Sequence, residues 1–241
     1  MGKISAKVFN LKGEAAGKVR LSPIFKTPFR PDVIKRAVIA VQSHSFQPQG
    51  RDVFAGKRTT AESRGVGLGI SRVSRVKGGQ RAAFITSAVG GRPTHPPKVE
   101  KKIDKKIPRK EMRLALRSAV AATASKEMVS SRGHVVDEVP DFPLVVVDEV
   151  QSLRKTREVR DALIRLGVWP DIYRVRESRK VRAGKGKRRG RRIKQSVGPL
   201  LVIVKDEGVV EAAQNIPGVD IATIDSLNIE LLAPGTHPGR L

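Results

Sequence analysis

The densest group of side chains that could bind a ligand lies in residues 174–194, RVRESRKVRAGKGKRRGRRIK, with 12 Lys or Arg residues and one acid, Glu177. Lysine and arginine donate hydrogen bonds to phosphate, and arginine can also stack on a base or bind two phosphate oxygens at once. Gly184, Gly186 and Gly190 reduce side-chain bulk between these cations. The pattern indicates a phosphate-rich polymer as partner, although a nuclear-localisation stretch or a disordered basic arm would look similar. Apolar residues do not recur at helical spacing, which disfavours a membrane-surface helix.

A second cationic segment spans residues 43–110, which hold 16 Lys or Arg residues and 4 acids, a net charge of +12. Its 9 glycines and 5 prolines interrupt any apolar period, so it cannot bury enough surface to offset its ordering entropy. An insertion this long is either disordered or ordered by a partner. An inert linker would lack its apolar side chains, which include Phe46, Phe54 and Phe84. We expect an extended segment that RNA shapes.

Motifs for catalysis or cofactor binding are weak. The glycines of residues 65–70 and 184–189 fail the dinucleotide-binding pattern at its last position, and the P-loop motif G-x-x-x-x-G-K-[ST] does not occur. Asp148 and Glu149 follow an apolar run and could hold Mg²⁺ at a strand end, but a solvated strand end is the simpler interpretation. The four histidines are scattered and show no metal-ligand spacing, so they are expected in loops. We predict no catalytic residue, no metal and no cofactor.

The total charge is +25, from 48 basic and 23 acidic residues. Like charges repel in a compact fold, so such an excess points to a polyanionic partner, whose counterions are released on binding. The absence of cysteine excludes disulfides and thiolate zinc sites. Residues 1–9 lack the apolar run of a signal peptide, and no stretch approaches the roughly 20 apolar residues of a membrane span. We expect a soluble, intracellular protein with no membrane partner.

The remaining residues are nearly neutral and show the alternation of an α/β fold. Helices are predicted over residues 31–43, 108–132, 157–167 (capped by Thr156 and closed by Gly167) and 209–215. Strands are predicted over residues 143–148, 172–175, 199–204 and 219–224. Strands that alternate with helices favour a mostly parallel sheet with helices on both faces. The fold class is therefore α/β, plus a long extended internal loop.

From these residues alone, three functions stay open: a ribosomal RNA-binding protein, a non-ribosomal RNA-binding protein and a metal-dependent nuclease. The nuclease would use Asp148 and Glu149 to bind Mg²⁺ and the basic segments to hold its substrate.

Six stretches spread over the chain resemble the archaeal and eukaryotic branch of the large-subunit ribosomal protein four family. They are residues 54–59 (FAGKRT), 91–98 (GRPTHPPK), 117–124 (RSAVAATA), 144–147 (LVVV), 181–187 (VRAGKGK) and 232–241 (LAPGTHPGRL). Members usually continue beyond the last stretch with a strand and a short helix, so no role is assigned to such a helix here.

The resemblance implies a structural constituent of the large ribosomal subunit, located on cytoplasmic ribosomes. Its partners would be large-subunit ribosomal RNA and neighbouring ribosomal proteins, including another tunnel-lining protein, with no small-molecule substrate. It implies a globular domain of residues 1–42 and 111–241, an extended basic loop of residues 43–110 that reaches the peptide exit tunnel, and a basic RNA-binding segment of residues 174–194 within the globular part.

Mapped onto this sequence, the candidate RNA-binding residues are Arg51, Lys57, Arg58, Arg64, Arg72, Arg75, Lys77, Arg81, Arg92, Lys98, Arg179, Lys180, Arg182, Lys185, Lys187, Arg188, Arg189, Arg191 and Arg192. The tunnel-lining tip would comprise Arg72, Arg75, Lys77, Gly78, Gly79 and Arg81.

Overall fold

The computed structural model describes residues 5–241 and divides the chain into two compact units. The first unit runs up to His44 and resumes over Lys105–Leu241, and the second is Ser45–Asp104. Residues 1–4, part of the predicted domain of residues 1–42, lie outside the described residues.

The first unit contains all the regular helices and strands of the described chain. The helices are α1 Pro31–Ser43, α2 Arg109–Thr123, α3 Lys126–Ser131, α4 Thr156–Arg165, α5 Trp169–Glu177, α6 Val209–Ala213 and α7 Ile229–Leu232. The strands are β1 Ser5–Phe9, β2 Ala15–Arg20, β3 Val145–Val146, β4 Lys180–Val181, β5 Ile193–Lys194, β6 Leu200–Ile203 and β7 Asp220–Thr223. Short 3₁₀ helices cover Pro23–Lys26, Asp148–Ser152, Lys185–Arg189 and Pro234–Thr236.

These strands form three small sheets, ordered β2-β1-β3, β4-β5 and β6-β7. Parallel pairing occurs between β1 and β3 and between β6 and β7, whereas β1–β2 and β4–β5 are antiparallel. The protein is thus mixed α/β, and the expected mostly parallel sheet is not supported. The physical reason is the shortness of the strands, since β3 offers only Val145 and Val146 for pairing and cannot connect a continuous sheet.

Several predicted elements agree with the structure and others do not. Helix α1 and the strand–helix–strand run β6-α6-β7 confirm their predictions. The predicted strand 172–175 is wrong, because these residues lie in α5, where Ile172 and Val175 are buried three positions apart. The predicted helix over residues 108–132 breaks at Ala124 and Ser125 into α2 and α3.

The ends of α4 also differ in part from expectation. Thr156 is the first helical residue rather than the cap, which is Lys155 without a side-chain hydrogen bond. Gly167 does close the helix, with a left-handed φ of 71°. A Cβ at Gly167 would lie 2.3 Å from the carbonyl oxygen of Glu138, so this close approach requires glycine.

The β1–β2 hairpin is absent from the predicted elements, although its turn has a recognisable sequence pattern. The Asn10 side-chain oxygen accepts hydrogen bonds from the backbone N–H groups of Lys12 and Glu14, both at 2.9 Å, and Gly13 has a φ of 85°. An asparagine followed by a glycine in a short polar stretch is typical of such a turn.

The core of the first unit is largely aliphatic, with Phe9 and Phe142 also buried in it. One cluster packs α4, α5 and α6 against β6 around Val159, Ile172, Ile203 and Val209. A second joins α1, α2 and α7, and a third gathers around Val129. Among residues 5–241, no helix is long and apolar enough to cross a membrane.

The second unit is built differently. Across residues 45–104, all of which the structure describes, no residue is buried and no helix or multi-residue strand forms. Isolated bridges pair Arg75 with Glu62 and with Ala82. The long extended loop is not confirmed as such, and the boundaries 43–110 stay a prediction.

Candidate RNA interface

The basic hairpin, defined as residues 180–194, is the most strongly charged feature of the first unit. Lys180 pairs with Lys194 and Val181 with Ile193, and the Arg182 backbone N–H donates to the carbonyl of Arg192 at 2.8 Å. Between the strands the chain turns through the 3₁₀ helix Lys185–Arg189 and then Gly190, whose φ is 79°. Gly190 therefore provides a left-handed turn that other residues adopt only with strain.

Most predicted RNA contacts of this region are exposed on the hairpin and at its start. Within residues 5–241, no hydrogen bond or ion pair is formed by the side chains of Arg179, Lys180, Lys185, Lys187, Arg188, Arg189, Arg191 and Arg192. Arg182 differs, because it is half-buried and its Nε donates to the carbonyl of Arg191 at 3.0 Å. The predicted residues are thus brought together as an unneutralised cationic surface, which repels itself in the absence of a polyanion.

A buried ionic network holds the helix that leads into the hairpin. Asp171 on α5 has a side chain that is 0% exposed, and its oxygens contact His134 Nδ1 at 2.9 Å and Arg174 Nε at 2.9 Å. The backbone N–H of Val135 donates to the same carboxylate at 3.0 Å. Burial raises the pKa of Asp171, but hydrogen bonds from His134 and Arg174 outweigh burial and leave that pKa below its ordinary value.

The same network fixes the chain where it leaves the hairpin. Arg174 Nη2 donates to the carbonyl of Val197 at 3.0 Å, and the backbone N–H of Ser196 donates to Ser178 Oγ at 2.8 Å. The chain that leaves the hairpin is therefore tied to α5 and to Ser178, the residue that follows α5. Arg174 opens the basic run of residues 174–194, yet its guanidinium holds the fold together rather than facing a ligand.

A second buried arginine secures the strands that follow. Arg240 is 2% exposed, pairs with Asp220 Oδ2 at 2.5 Å and donates through Nε to the carbonyl of Gly198 at 2.9 Å. Nearby Arg132 donates to the carbonyl of Pro234 at 3.2 Å. Burial lowers the pKa of Arg132 to about 10, with further contributions from the positive charges of Arg240 and Arg174. Sequence reasoning missed these residues, because nothing in their local sequence shows that they are buried.

In the second unit, the predicted tip residues Arg75 and Lys77 and the predicted RNA contact Arg64 form hydrogen bonds or ion pairs within the unit. Arg75 Nη1 donates to the carbonyl of Gln80 at 2.6 Å, Arg64 Nη2 donates to that of Gly79 at 3.0 Å, and Lys77 pairs with Glu62 at 3.2 Å. Arg72 and Arg81 are exposed, and within residues 5–241 neither side chain has a hydrogen-bond or ionic partner. Gly78 turns the chain with a φ of 79°, and Gly79 follows it.

The other predicted cations of this unit fall into two groups. Arg58 forms a bidentate ion pair with Asp52, and its guanidinium lies over the ring of Phe54. The guanidinium of Arg92 lies over the ring of Phe84. The remaining three, Arg51, Lys57 and Lys98, have exposed side chains without a hydrogen-bond partner in the described part of the chain. A backbone hydrogen bond of 3.2 Å from Arg51 to Pro97 brings the two ends of the segment together.

Comparison with known proteins decides the family. A model of the ribosomal protein L4/L1 family matches residues 19–238. The large ribosomal subunit protein uL4 of Methanosphaera stadtmanae is 49% identical over 241 residues, covering 100% of this chain and 92% of the relative. The uL4 proteins of Methanopyrus kandleri and Archaeoglobus fulgidus are 50% and 49% identical, each covering 99% of this chain and 94% of the relative.

The chain belongs to the ribosomal protein L4/L1 family. The match to archaeal relatives along the whole chain confirms the resemblance to the archaeal branch that the six sequence stretches indicated. Membership in this family also makes the chain a structural ribosomal protein rather than an enzyme.

The candidate enzymatic residues fit this conclusion. Asp148 and Glu149 lie in an exposed 3₁₀ helix, where Asp148 accepts a hydrogen bond from Gln151 at 3.5 Å. Within residues 5–241, no three His, Cys, Asp or Glu side chains group as metal ligands. His134 lies in the loop after α3, as expected of the histidines, and its side chain is 1% exposed and hydrogen-bonded to Asp171.

Proposed function

We propose that this chain is a structural constituent of the large ribosomal subunit and binds its RNA through the basic hairpin and the exposed cations of residues 45–104. The observation that carries this proposal is the hairpin, most of whose Lys and Arg side chains are exposed, while the chain that leaves it is bonded to Arg174 and Ser178. Relatives named as large-subunit proteins along the full length support the RNA of that subunit as the polyanion. As such a constituent, the chain would be located on cytoplasmic ribosomes.

The rigidity of the hairpin supports phosphate binding in a physical way. A disordered basic arm loses conformational entropy when it binds, whereas this hairpin is already paired across its two strands and the chain that leaves it is bonded to Arg174 and Ser178. Exposed cations on such a framework gain counterion-release free energy with a smaller ordering cost. The hairpin is expected to contribute affinity that does not depend on base sequence.

The second unit is proposed to extend along ribosomal RNA toward the peptide exit tunnel, beside another tunnel-lining ribosomal protein. Its proposed tip is the segment around Gly78 and Gly79, where Arg72 and Arg81 are exposed. Support comes from the family and from the composition of residues 45–104, which lack any buried residue and so depend on a partner for burial.

Co-sedimentation with ribosomes tests the proposal. The tagged full chain, expressed in its source organism or a close relative, is expected to migrate with the large subunit through a high-salt gradient. Migration with free RNA or in light fractions would instead support a non-ribosomal RNA-binding protein. Crosslinks from residue 78 to the exit tunnel would test the position of the tip separately.

A further inference from the structure

Three guanidinium–aromatic pairs occur among residues 5–241, and they differ in what covers the ring. Arg160 lies 5.4 Å from the ring centroid of Trp169, whose side chain also packs against the core of the first unit. The pairs Arg58–Phe54 and Arg92–Phe84 lie in the second unit, which has no core. In those two pairs the guanidinium covers one face of the ring, and the unit has no buried residue to pack against the other face.

The Phe54 pair is the one of these two that hydrogen bonds to a carboxylate hold in place. Asp52 Oδ1 accepts the backbone N–H of Phe54 at 3.1 Å and Arg58 Nη2 at 3.1 Å, while Asp52 Oδ2 accepts Arg58 Nη1. The Arg58 guanidinium carbon lies 5.5 Å from the centroid of the Phe54 ring. One carboxylate thus fixes both the backbone that carries the ring and the cation that covers it.

This arrangement leaves Phe54 59% exposed, in a segment that has no buried residue. An exposed phenyl ring is unfavourable in water, and a guanidinium stacked on one face holds the ring in a defined orientation. The hydrogen bonds with Asp52 also compensate much of the charge of Arg58, which therefore competes less for phosphate. A flat, oriented aromatic face beside a cationic surface is the usual platform for an unpaired nucleobase.

We propose that Phe54, backed by Arg58 and Asp52, is a stacking site for an unpaired base of ribosomal RNA. This inference rests on the proposed function and adds to it a specific ligand group, a single nucleobase, and a site for that group. It also changes the predicted role of Arg58, which becomes a positioning residue that acts through the Phe54 ring instead of a direct phosphate ligand.

Phe46 provides a matched control in the same unit. Its ring is 60% exposed, close to the 59% of Phe54, and within residues 5–241 no guanidinium lies over it. Replacement of either phenylalanine by leucine removes an exposed ring of equal accessibility from a segment without a core. A difference in RNA affinity between the two variants therefore reflects the loss of the ring stacked on Arg58, and not the loss of exposed apolar surface.

The test measures binding of the full chain to large-subunit ribosomal RNA from the source organism, across a series of salt concentrations. Phe54→Leu is expected to weaken binding by between about 5-fold and about 150-fold, the range for loss of one base–aromatic stack. Phe54→Tyr keeps the ring and is expected to restore binding to within about 2-fold of wild type. Phe46→Leu is expected to have an effect of less than about 2-fold, because its ring has no backing cation.

A second variant checks the positioning role. Asp52→Asn retains a side-chain oxygen that can accept the Phe54 N–H but loses the charge that holds Arg58. We expect an intermediate loss of affinity at a fixed salt concentration. The slope of affinity against salt should not decrease, because no phosphate contact is removed and the released Arg58 can only add one.

The outcomes separate this inference from the proposed function. If the wild-type chain fails to bind the RNA, the proposed function fails and the platform fails with it. If the wild type binds with the expected salt dependence but Phe54→Leu binds as tightly as Phe46→Leu, only the platform is wrong. Loss of binding in Phe54→Tyr equal to that in Phe54→Leu would also overturn stacking.

Discussion

The basic hairpin and the second unit carry similar cationic charge but are organised in opposite ways. The hairpin is attached to a unit with a hydrophobic core, and the half-buried side chains of Arg174 and Ser178 hold the chain that leaves it. Residues 45–104 have no buried residue and are connected by turns, two isolated bridges and surface ion pairs. The comparison shows that charge alone does not decide how a cationic segment is organised, since the hairpin is attached to a unit with a core and residues 45–104 have no core of their own.

Removal of the Asp171 carboxylate would test this comparison most severely. Asp171→Ala leaves the buried His134 and Arg174 without their acceptor, so we expect the free energy of unfolding to fall by roughly 3–5 kcal/mol. Urea unfolding of the full chain measures this. Asp161→Ala, at an exposed position of α4, is the control and is expected to change stability by less than about 0.5 kcal/mol. Equal effects of the two variants would mean that the buried network does not support the hairpin.

Neutral replacement of the hairpin cations is expected to alter RNA binding without altering stability. Lys185, Lys187, Arg188 and Arg189 are exposed, so their joint replacement by glutamine removes up to four phosphate contacts. The slope of log affinity against log salt should then decrease by about three, since each contact contributes roughly 0.7–0.9. An unchanged slope would assign the phosphate contacts to another surface.

Deletion of residues 60–90 tests the other side of the comparison. None of these residues is buried, so the first unit should retain cooperative thermal unfolding, with its stability changed by less than about 1 kcal/mol. RNA affinity should nevertheless decrease, because the exposed cations Arg72 and Arg81 are removed. Loss of the cooperative transition would show that the second unit contributes to the core.

The smallest expected effect is a dependence of stability on pH through Asp171. Its pKa is lowered in the folded protein, so its stabilising contribution is complete above the unfolded value near ~3.9 and is lost as pH falls below that value. The stability difference between wild type and Asp171→Ala should therefore narrow below about pH 4. Unfolding curves of both proteins at several pH values measure this stability difference. A difference that grows as the pH falls would contradict the ionic role of Asp171.

Part of the fold could be predicted from local patterns. The apolar residues of α1 recur at helical spacing, and the uninterrupted apolar run of β6 is bounded by turns, so each element has a local cause. Residues 172–175 have an equally apolar pattern, but their assignment depends on which neighbours bury Ile172 and Val175. Periodicity over four residues cannot distinguish a strand from one turn of a helix.

The sequence by itself determined the family, the aliphatic character of the core and the location of the positive charge, because composition and local order along the chain contain that information. Only the tertiary structure decided which cations are free and which are internal. Arg174 and Arg179 look alike in the basic run, yet the first binds a buried carboxylate and the second is exposed. That difference depends on His134 and Val197, which lie 40 and 23 positions from Arg174 and meet it only when the chain folds.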